Sequence, residues 1–339
     1  MQSVRVEDSS QIAEARRTAV AVAGRLGFSS TDSGRVAIVA TELATNLLRH
    51  AGGGRMLVGQ TEGAAGPAVE ILALDRGPGM RDVQQCRRDG YSTAGTAGNG
   101  LGAVARQSTV MDVWSQPGAG TAVLARIAAA PALMPVLSPM PRPVPLMDVG
   151  VIQAAMPGEE ACGDGWATET VFTDVTVLMV ADGLGHGPLA ADAAAAAMRL
   201  LHRNRGEPAG AIVQAIHDGL RATRGAAVAV ARVDHGAGTV SYCGIGNITG
   251  VLVSDGRVQK MVSHNGTAGL SARRIQEFTY PFAGTPLVIL HSDGLGSGWS
   301  LDAYPGLAVR DPALLAGVLV RDFDRGRDDV TVLAARGLP

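Results

Sequence analysis

Asp164, Asp182, Asp293 and Asp328 sit in settings that suit chemistry on a phosphoryl group. Asp182 follows the apolar run Val175–Val180 and precedes Gly183. Asp293 follows the run Pro286–His291 and precedes Gly294. Asp328 comes just before the strand-like Val330–Ala335, and Asp164 lies in Cys162-Gly163-Asp164-Gly165. Acids at strand ends can converge at one edge of a sheet, where they repel one another unless a cation lies between them. Oxygen donors with retained waters suit Mg²⁺ or Mn²⁺. Two such ions lower the pKa of a shared water and clamp a phosphoryl group for in-line attack. A single Asp-Gly pair is an ordinary turn; three acids in this order, with Asp164, point to a metal site.

A second constellation lies in the N-terminal half. Glu42 and Asn46 are four residues apart, so they share one flank of a helix. That helix is expected from the caps at Ser29, Ser30 and Thr31 to about His50, with Val36, Val39, Ala40, Leu43 and Leu47 as its apolar stripe. Asp75 ends the strand-like Ala68–Leu74 and is followed by Gly77 and Gly79. A carboxylate so placed lies on a cleft floor and can accept a hydrogen bond from an exocyclic amine such as that of adenine. Gly95, Gly98, Gly100 and Gly102 precede a helical pattern from about Leu101. Glycines before a helix start let backbone N–H groups approach phosphates. The chain has no GxxxxGK[ST], and no strand runs directly into these glycines, so neither the P-loop nor the dinucleotide fingerprint applies.

The elements that would carry these residues fall into two groups. In the first, a helix is expected over Ser9 to Leu26, a strand over Met56–Gln60, and a hairpin of Thr109–Ser115 and Thr121–Ile127 around Gln116 to Gly120. In the second, a strand is expected over Val149–Ala155, and helices run from Pro188 to about Asn204 and from Pro208 to about Thr223. Strands follow at Ala226–Asp234, Val240–Gly244, Ile248–Ser254 and Arg257–Val262, the last two joined by the hairpin signal Asp255-Gly256. A helix near Pro312–Asp324 leads to the final strand. Between the groups, Pro131 to Pro145 carries a proline every few residues and reads as an extended spacer. A chain of 339 residues suits two domains, set at 1–130 and 147–339, with a linker at 131–146.

The charge balance, 29 basic against 31 acidic residues, offers no footprint for nucleic acid or an anionic membrane. Three scattered cysteines, Cys86, Cys162 and Cys243, form no CxxC pair and argue against a disulfide framework or structural zinc. The polar start MQSVRVEDSSQ shows no signal peptide, and the alanine run after Leu189 is broken by Asp192 and Arg199, so a cytoplasmic protein is expected.

The ordered set ELATN, DRGPGM, RDGYSTAGTAGNGLGAVAR and PGAGT resembles the GHKL-type ATPases and kinases, and among them the RsbT-like serine kinases, over residues 1–130. The resemblance implies that Asn46 holds Mg²⁺, that Asp75 binds adenine, and that Gly98, Gly100 and Gly102 shape the phosphate lid. Gly77, Gly79 and Thr121 would complete the ATP site, and Glu42 would be the base that takes a proton from a substrate serine. From about residue 147 to the end, GDG, ADGLGHG, HSDGL and RDDVTVL resemble the PPM-type metal-dependent phosphatases of the SpoIIE group, RsbX-like members included. There Asp182 would bridge two Mn²⁺ or Mg²⁺ ions and Gly183 would offer its carbonyl. Asp293 and Asp328 would complete one ion, and Asp164 would hold waters of the other. The chain departs from the group's GGD in having Cys162 at its head, and no arginine stands in an evident phosphate-gripping position. His186 reads as a turn residue, and Ser292 and Thr331 as structural hydroxyls.

The expected fold is α+β in two domains, a GHKL-type two-layer α/β sandwich followed by a PPM-type αββα four-layer sandwich. The resemblance implies a bifunctional regulator that phosphorylates, and dephosphorylates, serine or threonine on STAS-domain antagonist or anti-anti-sigma proteins. A sigma factor or a downstream phosphatase are further partners to weigh. The alternative is a first domain that holds ATP and sequesters a partner without transferring phosphate.

Overall fold

The computed structural model describes residues 1–63, 66–83, 100–129 and 145–338. Gly95, Gly98, Cys86 and nearly all of the proline-rich spacer lie outside the described residues. By its contacts the chain divides into two units: Met1–Leu137 with Ser300–Arg321, and Ser138–Trp299 with Asp322–Pro339. Residues 300–321, expected within the second domain, thus group with the first.

The first unit opens with strand β1 (Gln2–Val6), in a stretch whose sequence is polar and suggests no element, and helix α1 (Ser9–Arg25). Asp8 caps α1 through Ser10, and Gln11 bonds back to the Asp8 amide, a reciprocal capping box. Helix α2 (Ser30–Ala51) starts on Ser29 as N-cap and ends on Gly52 in the left-handed conformation. Strands β2 (Gly54–Gly63) and β3 (Gly66–Leu74) follow, then helix α3 (Gly100–Gln107) and strands β4 (Val110–Gln116) and β5 (Gly120–Ala128). The sheet is antiparallel throughout, in the order β1-β2-β3-β5-β4. Alternation decides its faces. Met56, Val58, Ile71, Ala73, Val123 and Ala125 pack with Val36, Val39, Leu43 and Leu47 of α2.

The opposite face of this sheet is also buried, at Leu57, Leu72, Leu74 and Leu124. Residues 300–321 supply its partner within the unit. They hold two short 3₁₀ turns, Leu301–Ala303 and Leu307–Val309, and most of a helix over Pro312–Phe323, named α6 below. Gly317 lies against Leu72, 2.7 Å from the position its Cβ would take to Leu72 Cδ2. Trp114 Nε1 donates to the Pro305 carbonyl at 3.1 Å.

The second unit begins with β6 (Met147–Ala154), β7 (Asp164–Val171) and β8 (Val175–Gly183). Helices α4 (Pro188–Asn204) and α5 (Ala209–Gly219) follow, then β9 (Ala226–Asp234), β10 (Thr239–Ile245), β11 (Thr249–Ser254) and β12 (Arg257–Met261). The short strands β13 (Ser263–His264), β14 (Gly266–Thr267) and β15 (Ser271–Ala272) precede β16 (Phe278–Pro281) and β17 (Leu287–His291). After α6 (Pro312–Phe323), β18 (Val330–Gly337) closes the chain. The Asp255-Gly256 turn has positive φ at both residues, as its tight hairpin requires.

One sheet runs β13-β10-β9-β8-β7, with β16 beside β10; the other runs β12-β11-β17-β18-β6. They bury Leu178, Val180, Ala229 and Tyr242 against Leu252, Val288, Leu290 and Leu333. Val177, Met179 and Val230 face the other way, onto Ala194, Ala197, Leu201, Ile212 and Ile216 of α4 and α5. The two-domain α+β class is what the sequence led us to expect. Among the described residues, no helix is long and apolar enough to cross a membrane.

Candidate functional site

Each unit carries one cluster of the residues singled out by sequence. In the first, Glu42 and Asn46 lie one turn apart on α2, half-buried, and neither makes a hydrogen bond among the described residues. Gly100, at the start of α3, packs on both. A Cβ there would stand 3.2 Å from Asn46 Oδ1 and 3.3 Å from Glu42 Oε2. The end of the glycine-rich stretch therefore meets the acid and the amide at a helix N-terminus. Gly102 is buried within the first turn of the same helix.

Asp75 follows β3 and is fixed from both sides. Its Oδ1 accepts from the Gly77 amide at 2.8 Å and the Thr121 amide at 3.1 Å. Its own amide donates to the Thr121 carbonyl at 2.9 Å, and its carbonyl accepts from Arg321 Nη1 at 2.7 Å. Burial raises the Asp75 carboxyl above its ordinary value, against the pull of these two amides. Its Oδ2 has no protein partner among the described residues and is left for a ligand donor. Gly79 has φ +69°, and a Cβ would fall 2.1 Å from the Gln116 carbonyl, so only glycine lets this turn rest on the β4–β5 hairpin. A half-buried acid with one oxygen uncommitted among the described residues, beside glycine-lined backbone, suits an amine donor.

In the second unit, β7 and β8 pair so that Asp164 lies directly opposite Asp182. Cross-strand neighbours of like charge repel. Burial pushes Asp182 upward, and the charges of Asp164, Asp293, Asp328 and Asp329 add to it. Asp164 is raised by burial too, against a hydrogen bond from Ser292. Asp328 is raised by burial and by Asp293 and Asp329. The acids chosen by sequence thus sense one another's charge. Gly183 packs under the first turn of α4; a Cβ there would lie 2.1 Å from the Ala190 carbonyl.

Three side chains support these acids: Asp329 and Asn247, which the motifs did not single out, and Ser292, expected as a structural hydroxyl. Asp329 is buried and holds loops rather than facing the cluster. Its Oδ1 accepts from the Met156 amide and its Oδ2 from the Gly163 amide, both at 2.7 Å. Ser292 Oγ donates to Asp164 Oδ2 at 2.7 Å and accepts from the Thr331 amide at 2.9 Å. Asn247 Nδ2 donates to Asp293 Oδ2 at 2.8 Å. His186 pairs with Glu159, 2.6 Å away, in keeping with its reading as a turn residue.

Among the described residues, no three His, Cys, Asp or Glu side chains close around a single point. The donor set still fits hard divalent cations. It is all oxygen, it is mutually repulsive, and Asp164 Oδ1 is buried without a hydrogen-bond partner.

Comparison with known proteins finds a separate match for each of the two clusters. Residues 6–127 match the histidine kinase-like ATPase domain, and residues 173–337 match stage II sporulation protein E (SpoIIE). The serine/threonine-protein kinase RsbT of Bacillus subtilis (strain 168) is 34% identical over 122 residues, 36% of this chain and 92% of that one. The phosphoserine phosphatase RsbX of the same organism is 25% identical over 146 residues, 43% of this chain and 73% of that one. A solved structure from work on the bacterial stressosome superposes with TM-score 0.53 at 31% identity, over 56% of this chain and 99% of that one. The crystal structure of RsbX in complex with magnesium gives TM-score 0.50 at 22% identity, over 57% and 96%, a likeness of fold.

Proposed function

We propose, for a chain that belongs to the RsbT family through its first domain and carries a SpoIIE-type phosphatase domain behind it, a bifunctional partner-switching regulator. The first domain transfers phosphate from ATP to serine or threonine of a STAS-type regulatory protein. The second removes such phosphate. The observation that carries this reading is the Asp164–Asp182 cross-strand pair, with Asp293 and Asp328 close enough to raise it further. Buried acids in such numbers, without a basic partner in the pair, make sense as a cation site.

In the kinase step, Asp75 takes the adenine amine, with Gly77, Gly79 and Thr121 shaping the cleft. Gly100 and Gly102 bring backbone to the phosphates at the start of α3, Gly98 being assigned to the same lid by sequence alone, and Asn46 is the residue that would hold Mg²⁺. Glu42, one turn from Asn46, accepts the proton of the attacking hydroxyl. Phosphoryl transfer asks for this kind of positioning more than for covalent chemistry. In the hydrolytic step, Asp164, Asp182, Asp293, Asp328 and the Gly183 carbonyl are the residues that would hold Mn²⁺ or Mg²⁺. When bound, the ions supply an acidified water and neutralise the phosphoryl oxygens. Ser292 keeps Asp164 turned toward its strand partner, and Asp329 ties the Gly163 and Met156 backbone in place.

Ser292→Ala removes the hydroxyl that orients Asp164, so Mn²⁺ affinity is expected to fall about 10- to 100-fold. A Mn²⁺ titration followed by thermal shift measures this, and an unchanged midpoint would count against the orienting role. The two activities are tested together, with labelled ATP and a STAS protein, in wild type, Glu42→Gln and Asp182→Asn. Label should persist on the partner when Asp182 is lost and never appear when Glu42 is replaced, with ATP binding retained in both. ATP binding with no transfer under any condition would replace the kinase by a sequestering module.

A further inference from the structure

We propose that Arg224 is the cation that grips the substrate phosphate in the second unit, an assignment that rests on the phosphatase reading above. A phosphate dianion approaching this site meets four carboxylates, Asp164, Asp182, Asp293 and Asp328, with the charge of the buried Asp329 behind them. Bound ions offset part of that field; a phosphoryl group is also held in place by a directional donor, and guanidinium is the side chain shaped for it.

Backbone pairing puts Arg224 at this spot. Strands β8 and β9 align Asp182 with Ala227 and Gly183 with Ala226. The ladder continues one step past its named end, because the Leu184 amide donates to the Gly225 carbonyl at 3.0 Å. The next position brings Arg224 opposite Gly185, in the loop that follows Asp182. There Arg224 Nη1 lies 3.2 Å from the position a Cβ would take on Gly185, which places the guanidinium against this loop. Gly225, with φ +77°, turns the chain into β9 and sets the direction in which Arg224 leaves it.

The Arg224 guanidinium is not committed to a polar partner among the described residues. It is exposed, and among the described residues it forms no ion pair and no hydrogen bond. An arginine beside an acid-rich cleft that pairs with none of those acids keeps its donors for an incoming anion. The sequence alone hid it, because it sits in no acid motif and reaches the site only through the β8–β9 register.

Inorganic phosphate tests the assignment on the full chain loaded with Mn²⁺, by calorimetry and as an inhibitor of phosphoserine hydrolysis. Arg224→Ala should weaken phosphate binding about 10- to 100-fold by both measures, with Arg224→Lys in between. Mn²⁺ affinity and the unfolding midpoint should stay at wild-type values, a result that a merely structural arginine would not give. If Arg224→Ala binds phosphate as wild type does while wild type hydrolyses phosphoserine, the Arg224 assignment is wrong and the phosphatase reading stands. If loaded wild type neither binds phosphate nor hydrolyses phosphoserine, that reading falls and the assignment falls with it.

Discussion

Asp182→Asn is expected to lower phosphoserine hydrolysis by roughly 10³-fold or more and, at the same time, to make the cation-free chain harder to unfold above neutral pH. Both effects come from one feature. Asp182 faces Asp164 across the β7–β8 ladder, and burial pushes the two carboxyls up to about 8 and about 7 from an ordinary 3.8. In the unfolded chain both groups lose their protons near the ordinary value. Between about pH 4 and 8, the folded chain therefore holds more protons than the unfolded one. Stability then falls as pH rises through that window, and the whole penalty is present above it. Asparagine at 182 does not titrate and removes one of the repelling charges.

The measurement is thermal unfolding with and without chelator, from pH 5 to 9, in wild type and variant. In chelator the variant should unfold higher by at least about 3 °C at pH 9, since about 1 kcal/mol moves the midpoint by roughly 2–4 °C for units of this size, and the gap should close toward pH 5. With Mn²⁺ the order should reverse, because only wild type retains the full set of acids for the ion. Parallel pH curves for the two proteins would remove the basis for a cation-relieved acid pair.

Much of both sites was readable because glycine and aspartate mark turns wherever they fall. Asp75, Gly79, Asp182, Gly183 and Asp293 all lie at turns or strand ends, and the fold uses them there. What could not be read was register. RDDVTVL offers two adjacent acids, and only the pairing of β18 decides that Asp329 turns inward to bind the Gly163 and Met156 amides while Asp328 stays with the cluster. Strand β7 escaped for a related reason. As the last strand of its sheet it mixes Trp166, Thr168, Glu169 and Thr170, and its alternation is blurred by solvent on one side. Strand β1 shows only Val4 and Val6 to the core, too few to register as a pattern.

The grouping of residues 300–321 with the first unit did leave a signal. Ala313 to Val320 is apolar without a break, and every one of those residues is buried. A helix apolar all round must be covered all round. The same holds for β3, where Ala68, Val69, Ile71, Leu72, Ala73 and Leu74 are buried on alternating faces around one acid, Glu70. Sequence alone could say that Glu70 needs a partner; it could not say that the partners stand 56 and 241 positions further along the chain, at Arg126 and, through it, Asp311.

That triad carries the second large expectation: Arg126→Ala should destabilise the first unit by about 3–5 kcal/mol. Arg126 stands opposite Glu70 in the β3–β5 register, and its Nε meets Glu70 Oε2 at 2.6 Å. Its other two nitrogens clasp Asp311 in a fork, at 2.6 and 3.0 Å. The three side chains keep only 12%, 5% and 9% of their exposure, so removing the guanidinium strands two carboxylates away from water. Asp311 cannot simply be replaced by an apolar residue, because its Oδ1 also accepts from the Ala313 amide and so starts α6. The rescue that follows is Arg126→Met with Glu70→Leu and Asp311→Asn, which removes all three charges and keeps the helix cap. Most of the lost stability should return, as it does when a buried ion network gives way to packed apolar groups. Chemical denaturation of the full chain, followed through Trp114 in this unit, reads both variants. A single substitution that costs less than about 1 kcal/mol would mean that water reaches the pair. A triple substitution no better than the single would mean that the fork itself fixes residues 300–321 on the sheet.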